Sequence, residues 1–383
     1  METRQVEDAN AFSARRVSPM AEFGFHACLF VFCTSLVITN AQSQISKNHA
    51  PLFIFGDSLF DAGNNNYIDA VLKADFWPYG ETFFKYPTGR FSDGRLVPDY
   101  IAEYAKLPLI PPYLQPGNHE YTNGVNFASS GAGALVETRQ GRVIDLQTQL
   151  SYFKNVSRVM RKKLGDAEAQ ALLSRAVYLF SVGGNDYLFP FEENSSVLRT
   201  YSVQQFVGLV MGNITTVIKE IHKMGGRKFG FLDMLPLNCL PFSRASLGGG
   251  GGACFEKVTP YAKLHNKQLP KLLRKLQSEL KGFKYSILPC YSFLDQRIKH
   301  PSKYGFKVGE AACCGSGPYR GILSCGGKTG VKDYYLCHNV SEYVFFDSFH
   351  LTEKAYQQFA KQFWNGKPSI SGSYNLKALF EFN

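Results

Sequence analysis

Five short apolar runs recur along the chain, at residues 52–55, 125–128, 177–182, 229–232 and 285–288. They lack the polar alternation of a half-buried strand, which favours strands that are covered on both faces. Helix-compatible stretches lie between and after these runs, at residues 96–105, 146–161, 203–224, 258–280 and 353–364. Strands that alternate with helices predict a parallel sheet within one three-layer α/β/α domain, over roughly residues 48–365.

The N-terminal region predicts a targeting segment. Residues 27–38 are mostly apolar, Arg15 and Arg16 precede them, and Thr39-Asn40-Ala41 offers a small-residue cleavage site. The apolar run is shorter than the ~20 residues that a membrane-spanning helix needs. We therefore expect residues 1–41 to be a cleaved signal peptide and residues 42–383 to form a single domain. A start at Met20 and a retained N-terminal anchor are the alternatives.

Glycosylation sequons agree with secretion. Four are present, at Asn155, Asn194, Asn213 and Asn339. Each is a weak signal alone, but a secreted chain could carry glycans at all four. The expected location is extracellular, without stable membrane insertion.

The cysteines outside the leader suggest disulfides. Cys239 and Cys254 bracket a five-glycine run, which predicts a closed and mobile surface loop. Four more cysteines are close enough for two further bridges of undecided pairing, namely Cys313, Cys314, Cys325 and Cys337. Cys290 is then the expected free thiol. None of these cysteines has the spacing of a zinc site or a redox motif, and we predict no metal and no cofactor.

The chain is basic, with 383 residues and a formal net charge of +11. Such a charge raises the question of a nucleic-acid or anionic partner. The basic residues are dispersed, however, and Arg161-Lys162-Lys163 is only a short run. No nucleic-acid motif is present, so we interpret the charge as a solvated surface and expect no nucleic-acid partner. The oligomeric state is not predicted.

Polar, glycine-rich turns follow the first three predicted strands, at residues 56–58, 129–133 and 183–186. In open α/β sheets, ligands bind at the carboxyl ends of the strands, so these turns are expected to converge. A serine such as Ser58 in one such turn is more often a turn former or a helix cap than a nucleophile. Only partners elsewhere in the chain change that interpretation.

Asp347 and His350 supply those partners. An acyl-transferring serine needs a base for its proton and an acid that orients the base. Asp347 would accept the Nδ1 proton of His350, which leaves Nε2 free to serve Ser58, and Thr352 would cap the helix that follows. Three donors are available for the oxyanion, namely the N–H groups of Ser58 and Gly131 and the side-chain amide of Asn185.

These motifs resemble the blocks of the plant GDSL esterases/lipases, within the SGNH hydrolase superfamily. The matching segments are residues 55–65, 124–133, 183–186 and 347–350, with further agreement at 87–95 and 312–315. The resemblance covers essentially the whole mature chain, and resemblance to a plant family implies the apoplast as the extracellular location. It implies a flavodoxin-like fold with a five-stranded parallel sheet. It also implies that Ser58 is the nucleophile, His350 the base and Asp347 its orienter, with Gly131 and Asn185 in the oxyanion hole.

The expected function is that of a secreted serine esterase or lipase, which hydrolyses carboxylic esters of lipids or other acyl compounds through an acyl-serine intermediate. An acyltransferase with the same triad and a catalytically silent extracellular binding protein are the alternatives. The chain departs from the usual family pattern at Asn238, Phe346 and Leu351, none of which removes a catalytic group. The residues around Asp347 and His350 also resemble a subgroup of secreted plant lipases associated with defence.

Overall fold

The fold is built around one parallel sheet. The computed structural model describes residues 49–117, 120–248, 252–327, 333–367 and 374–382, so the predicted leader and the centre of the glycine run lie outside the described residues. The five strands are β1 Leu52–Gly56, β2 Gly124–Asn126, β3 Val177–Ser181, β4 Lys228–Leu232 and β5 Lys284–Leu288. Their order is β2-β1-β3-β4-β5, and every pairing is parallel. This is the flavodoxin-like order, and the predicted five-stranded sheet is confirmed.

Helices cover both faces of the sheet. The described α-helices are α1 Val97–Tyr104, α2 Leu146–Leu164, α3 Asp166–Arg175, α4 Gly184–Glu192, α5 Val197–Thr200, α6 Val203–Lys223, α7 Thr259–Glu279, α8 Cys290–Lys299, α9 Glu353–Asn365 and α10 Leu376–Glu381. One layer contains α2, α6 and α7, which pack side by side, and the other contains α1, α9 and α10. The five predicted helices are all present, and their ends differ from the predicted ones by up to three residues. The predicted cap is also present, since the Thr352 hydroxyl accepts the N–H of Ala355.

Aromatic side chains explain why the strands are apolar throughout. In-register pairs stack across the sheet, with ring centroids 5.5 Å apart for Phe53 and Tyr178 and 5.0 Å apart for Phe55 and Phe180. Phe153 of α2 meets this layer edge-on, 5.3 Å from Phe53. The residues that alternate with these aromatic residues along β1 and β3 face the other helical layer. The sheet is therefore buried on both sides, as parallel sheets usually are.

Helix α4 differs from the prediction, which placed a turn after β3. Gly183 and Gly184 at its start and Pro190 within it are poor helix formers, so the local sequence reads as a loop. The helix forms because burial of Tyr187 and Leu188 stabilises it. Tertiary packing thus overrides propensity in this segment.

Small sheets and disulfides complete the domain near its C-terminal part. The remaining strands are β6 Val308–Ala312, β7 Cys314–Gly315, β8 Tyr335–Leu336 and β9 Tyr343–Phe345. The predicted Cys239–Cys254 bridge is present, and the undecided pairing is Cys313–Cys337 with Cys314–Cys325. Cys290 is the free thiol, as predicted, and it is buried.

Within the described ranges, no helix is long and apolar enough to cross a membrane. Those ranges also contain no cluster of histidine, cysteine or acidic side chains that could hold a metal ion.

Candidate active site

The structure brings Ser58, His350 and Asp347 together in one hydrogen-bonded chain. The Ser58 Oγ lies 2.7 Å from Nε2 of His350. The other ring nitrogen, Nδ1, lies 2.8 Å from both carboxylate oxygens of Asp347. Asp347 and His350 are buried, and Ser58 is partly exposed. This is the order of contacts that a serine nucleophile, its base and an orienting acid require.

Asp347 is held as an ionised acceptor. Its Oδ1 accepts the backbone N–H groups of Phe349 and His350 at 2.8 and 2.7 Å, and its Oδ2 accepts the hydroxyl of Tyr79 at 2.7 Å. Burial by itself would raise the pKa of Asp347, but the charge and hydrogen bond of His350, with these donors, hold that pKa below its usual range. Tyr79 was not identified from the sequence, because its partner lies 268 positions away.

Ser58 is placed by the end of β1. Gly56 has a φ of +146°, and a Cβ there would lie 2.1 Å from the carbonyl oxygen of Ser181 in β3, so only glycine fits. The side-chain amide of Gln149 on α2 accepts the N–H of Gly56 and donates to its carbonyl oxygen, both at 2.8 Å. These contacts fix the point at which the chain leaves the sheet. Ser58 then emerges where the connections from β1 and β3 diverge, the switch point at which such sheets bind ligands.

Asn185 lies in the first turn of α4. Its amide nitrogen donates to the carbonyl oxygen of Ala132 at 3.0 Å, which leaves its second N–H for another acceptor. The neighbouring Asp186 accepts the N–H groups of Ala134 and Leu135, at 2.8 and 3.0 Å. The two side chains therefore join the turn after β3 to the turn after β2.

Gly131 lies within that turn after β2. Asp61 accepts the N–H of Ser130 at 2.9 Å, and the Asn65 amide donates to the Ser130 carbonyl oxygen at 2.9 Å. The asparagine-rich segment after Ser58 thus builds the support of the turn that contains Gly131. Among the described residues, the backbone N–H groups of Ser58 and Gly131 have no hydrogen-bond acceptor.

A small cavity of about 60 Å³ opens beside the triad. Its apolar wall consists of Leu59, Leu188, Met234, Leu235, Leu237, Leu240 and Phe349. Ser58, Asn185 and His350 also line it, whereas Asp347 lies behind His350 and Gly131 is not among the lining residues. The structure therefore gathers Ser58, His350 and Asn185 at one cavity, with Asp347 hydrogen-bonded to His350 behind it and Gly131 in the adjoining turn.

Two further aspartates, Asp57 and Asp233, line this cavity. Burial raises the pKa of each to about 7, although backbone N–H groups, including that of Leu59 for Asp57 and that of Tyr291 for Asp233, oppose the shift. Both groups are therefore partly protonated near neutral pH, which limits the negative charge on the cavity wall. Asp233 was not identified from the sequence, because a single aspartate after a strand has no distinctive pattern.

A flavodoxin-like α/β/α domain with a Ser–His–Asp chain at the carboxyl edge of its first strand places the protein among the serine hydrolases. The family model described as GDSL-like Lipase/Acylhydrolase matches residues 52–363. The chain belongs to this family, and the resemblance seen in its motifs is confirmed.

Several curated plant proteins are similar to the chain over nearly its whole length. GDSL esterase/lipase 1 of Arabidopsis thaliana is 55% identical, over 89% of this chain and 93% of the relative. GDSL esterase/lipase 2 of the same organism is 52% identical, over 90% and 93%. The GDSL lipase of Tanacetum cinerariifolium is 49% identical, over 92% of each.

Proposed function

We propose that the protein hydrolyses carboxylic esters through an acyl-Ser58 intermediate. Nε2 of His350 takes the hydroxyl proton as Oγ of Ser58 attacks the ester carbonyl carbon, and Asp347 stabilises the imidazolium that forms. Collapse of the tetrahedral intermediate breaks the bond to the alcohol, which leaves with the proton from His350. Water then attacks the acyl-serine by the same route and releases the carboxylic acid. Family membership and the names of the relatives support this reaction.

The oxyanion of each tetrahedral intermediate needs donors that are already in place. The N–H of Ser58, the second amide N–H of Asn185 and the N–H of Gly131 are proposed for this role. In the described part of the chain neither backbone group has an acceptor, which supports the proposal because unpaired N–H groups are rare in folded proteins. Asn185 has the strongest support, since its side chain lines the cavity beside Ser58.

The substrate is an ester with an uncharged, apolar acyl group. The leucine- and phenylalanine-rich wall of the cavity favours such a group through the hydrophobic effect. Asp57 and Asp233 disfavour an anionic acyl group above about pH 7, where both carry charge. Neither acyl transfer to another alcohol nor silent binding has a separate observation in its favour.

The single observation that carries this function is the continuous hydrogen-bonded chain from Ser58 through His350 to Asp347. Ser58→Ala should abolish turnover of a nitrophenyl ester and labelling by a serine-directed fluorophosphonate, with an unchanged Tm. Ser174→Ala is the matched control, because that hydroxyl donates to the carbonyl oxygen of Ala171 on α3 and Ser174 does not line the cavity. Retained turnover in Ser58→Ala would refute the assignment.

We propose that the protein is secreted, because residues 1–41 form a predicted leader and the described residues contain three disulfides, which persist in extracellular conditions. The sequons differ in their suitability for glycans. Asn194 and Asn339 are exposed outside the α-helices. Asn155 and Asn213 lie within α2 and α6 and are only partly exposed. We therefore assign glycans to Asn194 and Asn339 alone.

A further inference from the structure

A tyrosine from a distant loop contacts the triad. Tyr79 is 2% exposed, and its hydroxyl lies 2.7 Å from Oδ2 of Asp347. We propose that Tyr79 is a positioning residue of the triad, which holds the Asp347 carboxylate in the orientation that serves His350. This inference rests on the proposed serine mechanism. It adds a residue from the loop before α1 to a site that otherwise comes from the strand ends and the turn before α9.

The two carboxylate oxygens are held in different ways. Oδ1 is fixed by the N–H groups of Phe349 and His350, which belong to its own turn. Besides the imidazole, Oδ2 has only the Tyr79 hydroxyl among the described residues. Burial and the adjacent charge of Asp347 raise the pKa of Tyr79 well above its usual value, so the hydroxyl keeps its proton and remains a donor over the working pH range.

Tyr79 has little freedom to move away from this contact. Its ring packs edge-on against Phe76, Phe91 and Phe346, with centroids 5.4, 5.6 and 5.4 Å away. The same cluster of buried residues includes both halves of the Cys313–Cys337 and Cys314–Cys325 disulfides. Since side chains in such a packed group occupy single rotamers, the hydroxyl is presented in one place.

The segment that begins at Tyr79 also touches the base and the chain that follows it. The Phe91 ring lies against the imidazole of His350, 4.6 Å between centroids. The Ser92 hydroxyl donates to the Leu351 carbonyl oxygen at 3.0 Å, and Asp93 accepts the N–H of Glu353 at 2.7 Å. These contacts fix the backbone of the catalytic turn. Only Tyr79 reaches the carboxylate itself, so its effect can be separated from theirs.

Tyr79→Phe removes this donor and keeps the ring. The carboxylate then interacts more strongly with the imidazole and stabilises its protonated form, so the acid limb of the kcat/KM profile should move to higher pH. The freer carboxylate also orients the imidazole less well. We expect kcat to fall about ten-fold, the size of effect that follows loss of one charge-assisted hydrogen bond, and KM to stay within about two-fold.

Tyr178→Phe is the matched control. Tyr178 is also fully buried, and its hydroxyl donates to the Leu173 carbonyl oxygen at 2.8 Å, away from the triad. This variant should lose stability and leave the pH profile in place. An acid limb that does not move in Tyr79→Phe, or that moves equally in Tyr178→Phe, would overturn the positioning role.

A double-mutant cycle keeps the inference testable if the single change also lowers stability. In an Asp347→Ala background, Tyr79→Phe should change the residual kcat less than two-fold, because the partner of the hydroxyl is gone. A full ten-fold loss in that background would show that Tyr79 acts by another route. Fluorophosphonate labelling of Ser58 in the wild-type protein tests the serine mechanism separately. Failure of labelling would overturn that mechanism together with this inference, whereas an unmoved acid limb with normal labelling would overturn the inference alone.

Discussion

Asn185→Ala tests the oxyanion role of the third glycine-rich turn. The side chain has two N–H groups, one of which is bonded to the Ala132 carbonyl oxygen at 3.0 Å. Loss of that bond should lower stability by about 0.5–1.5 kcal/mol. Loss of the other N–H should lower kcat about 10²- to 10³-fold, equivalent to about 2.7–4 kcal/mol of transition-state stabilisation. KM should change little, because the donor acts mainly on the charge that develops during attack.

The assay is steady-state hydrolysis of a nitrophenyl ester, with Tm measured on the same samples. Asn375→Ala is the matched control, since the Asn375 amide donates to the Gly366 carbonyl oxygen and its Oδ1 caps α10 through the N–H of Ala378. It removes the same atoms far from Ser58 and should leave kcat within about two-fold while costing about 1 kcal/mol as a lost cap. A loss smaller than about ten-fold in Asn185→Ala, or an equal loss in the control, would refute the oxyanion role.

The remaining predictions concern pH and processing. Burial raises the pKa of five aspartates to about 6 or about 7, and they are Asp57, Asp61, Asp93, Asp186 and Asp233. Because they ionise near their ordinary pKa of 3.8 when unfolded, stability falls as pH rises from about 4 to about 7. His265 has the opposite effect on the pH dependence of stability. Burial lowers its pKa from 6.5 to about 4, so stability is lost as pH falls from about 6.5 towards 4. The five aspartates outweigh the one histidine, so Tm should be higher near pH 5.5 than near pH 8. A higher Tm near pH 8 would contradict the raised pKa values of the aspartates. Peptide mass spectrometry of protein collected from the medium of plant cells should show a first residue at position 42 and glycans at Asn194 and Asn339. An intact leader would contradict the secretion proposal, whereas glycans at the two helical sequons would contradict only the assignment of glycans to Asn194 and Asn339 alone.

The sequence predicted the sheet well because each strand is a compact apolar run. It predicted the triad and Asn185 because those residues stand in short local motifs, and the structure brings them together. The supporting residues could not be found in this way. Tyr79 and Gln149 act on partners 268 and 93 positions away, and neither contact leaves a local pattern. Helix α4 was missed because its local sequence is misleading. Its glycines and proline disfavour a helix, but burial of its side chains in the folded protein stabilises one.

The separation of the triad along the chain has a consequence for synthesis. Ser58 and His350 are 292 positions apart, and the fifth strand of the sheet lies between them. A chain that leaves the ribosome N-terminus first presents the serine long before its base and acid exist. No partial translation product that ends before His350 contains the proposed catalytic set, so we expect no hydrolysis until the five strands and the turn that contains His350 have all been made.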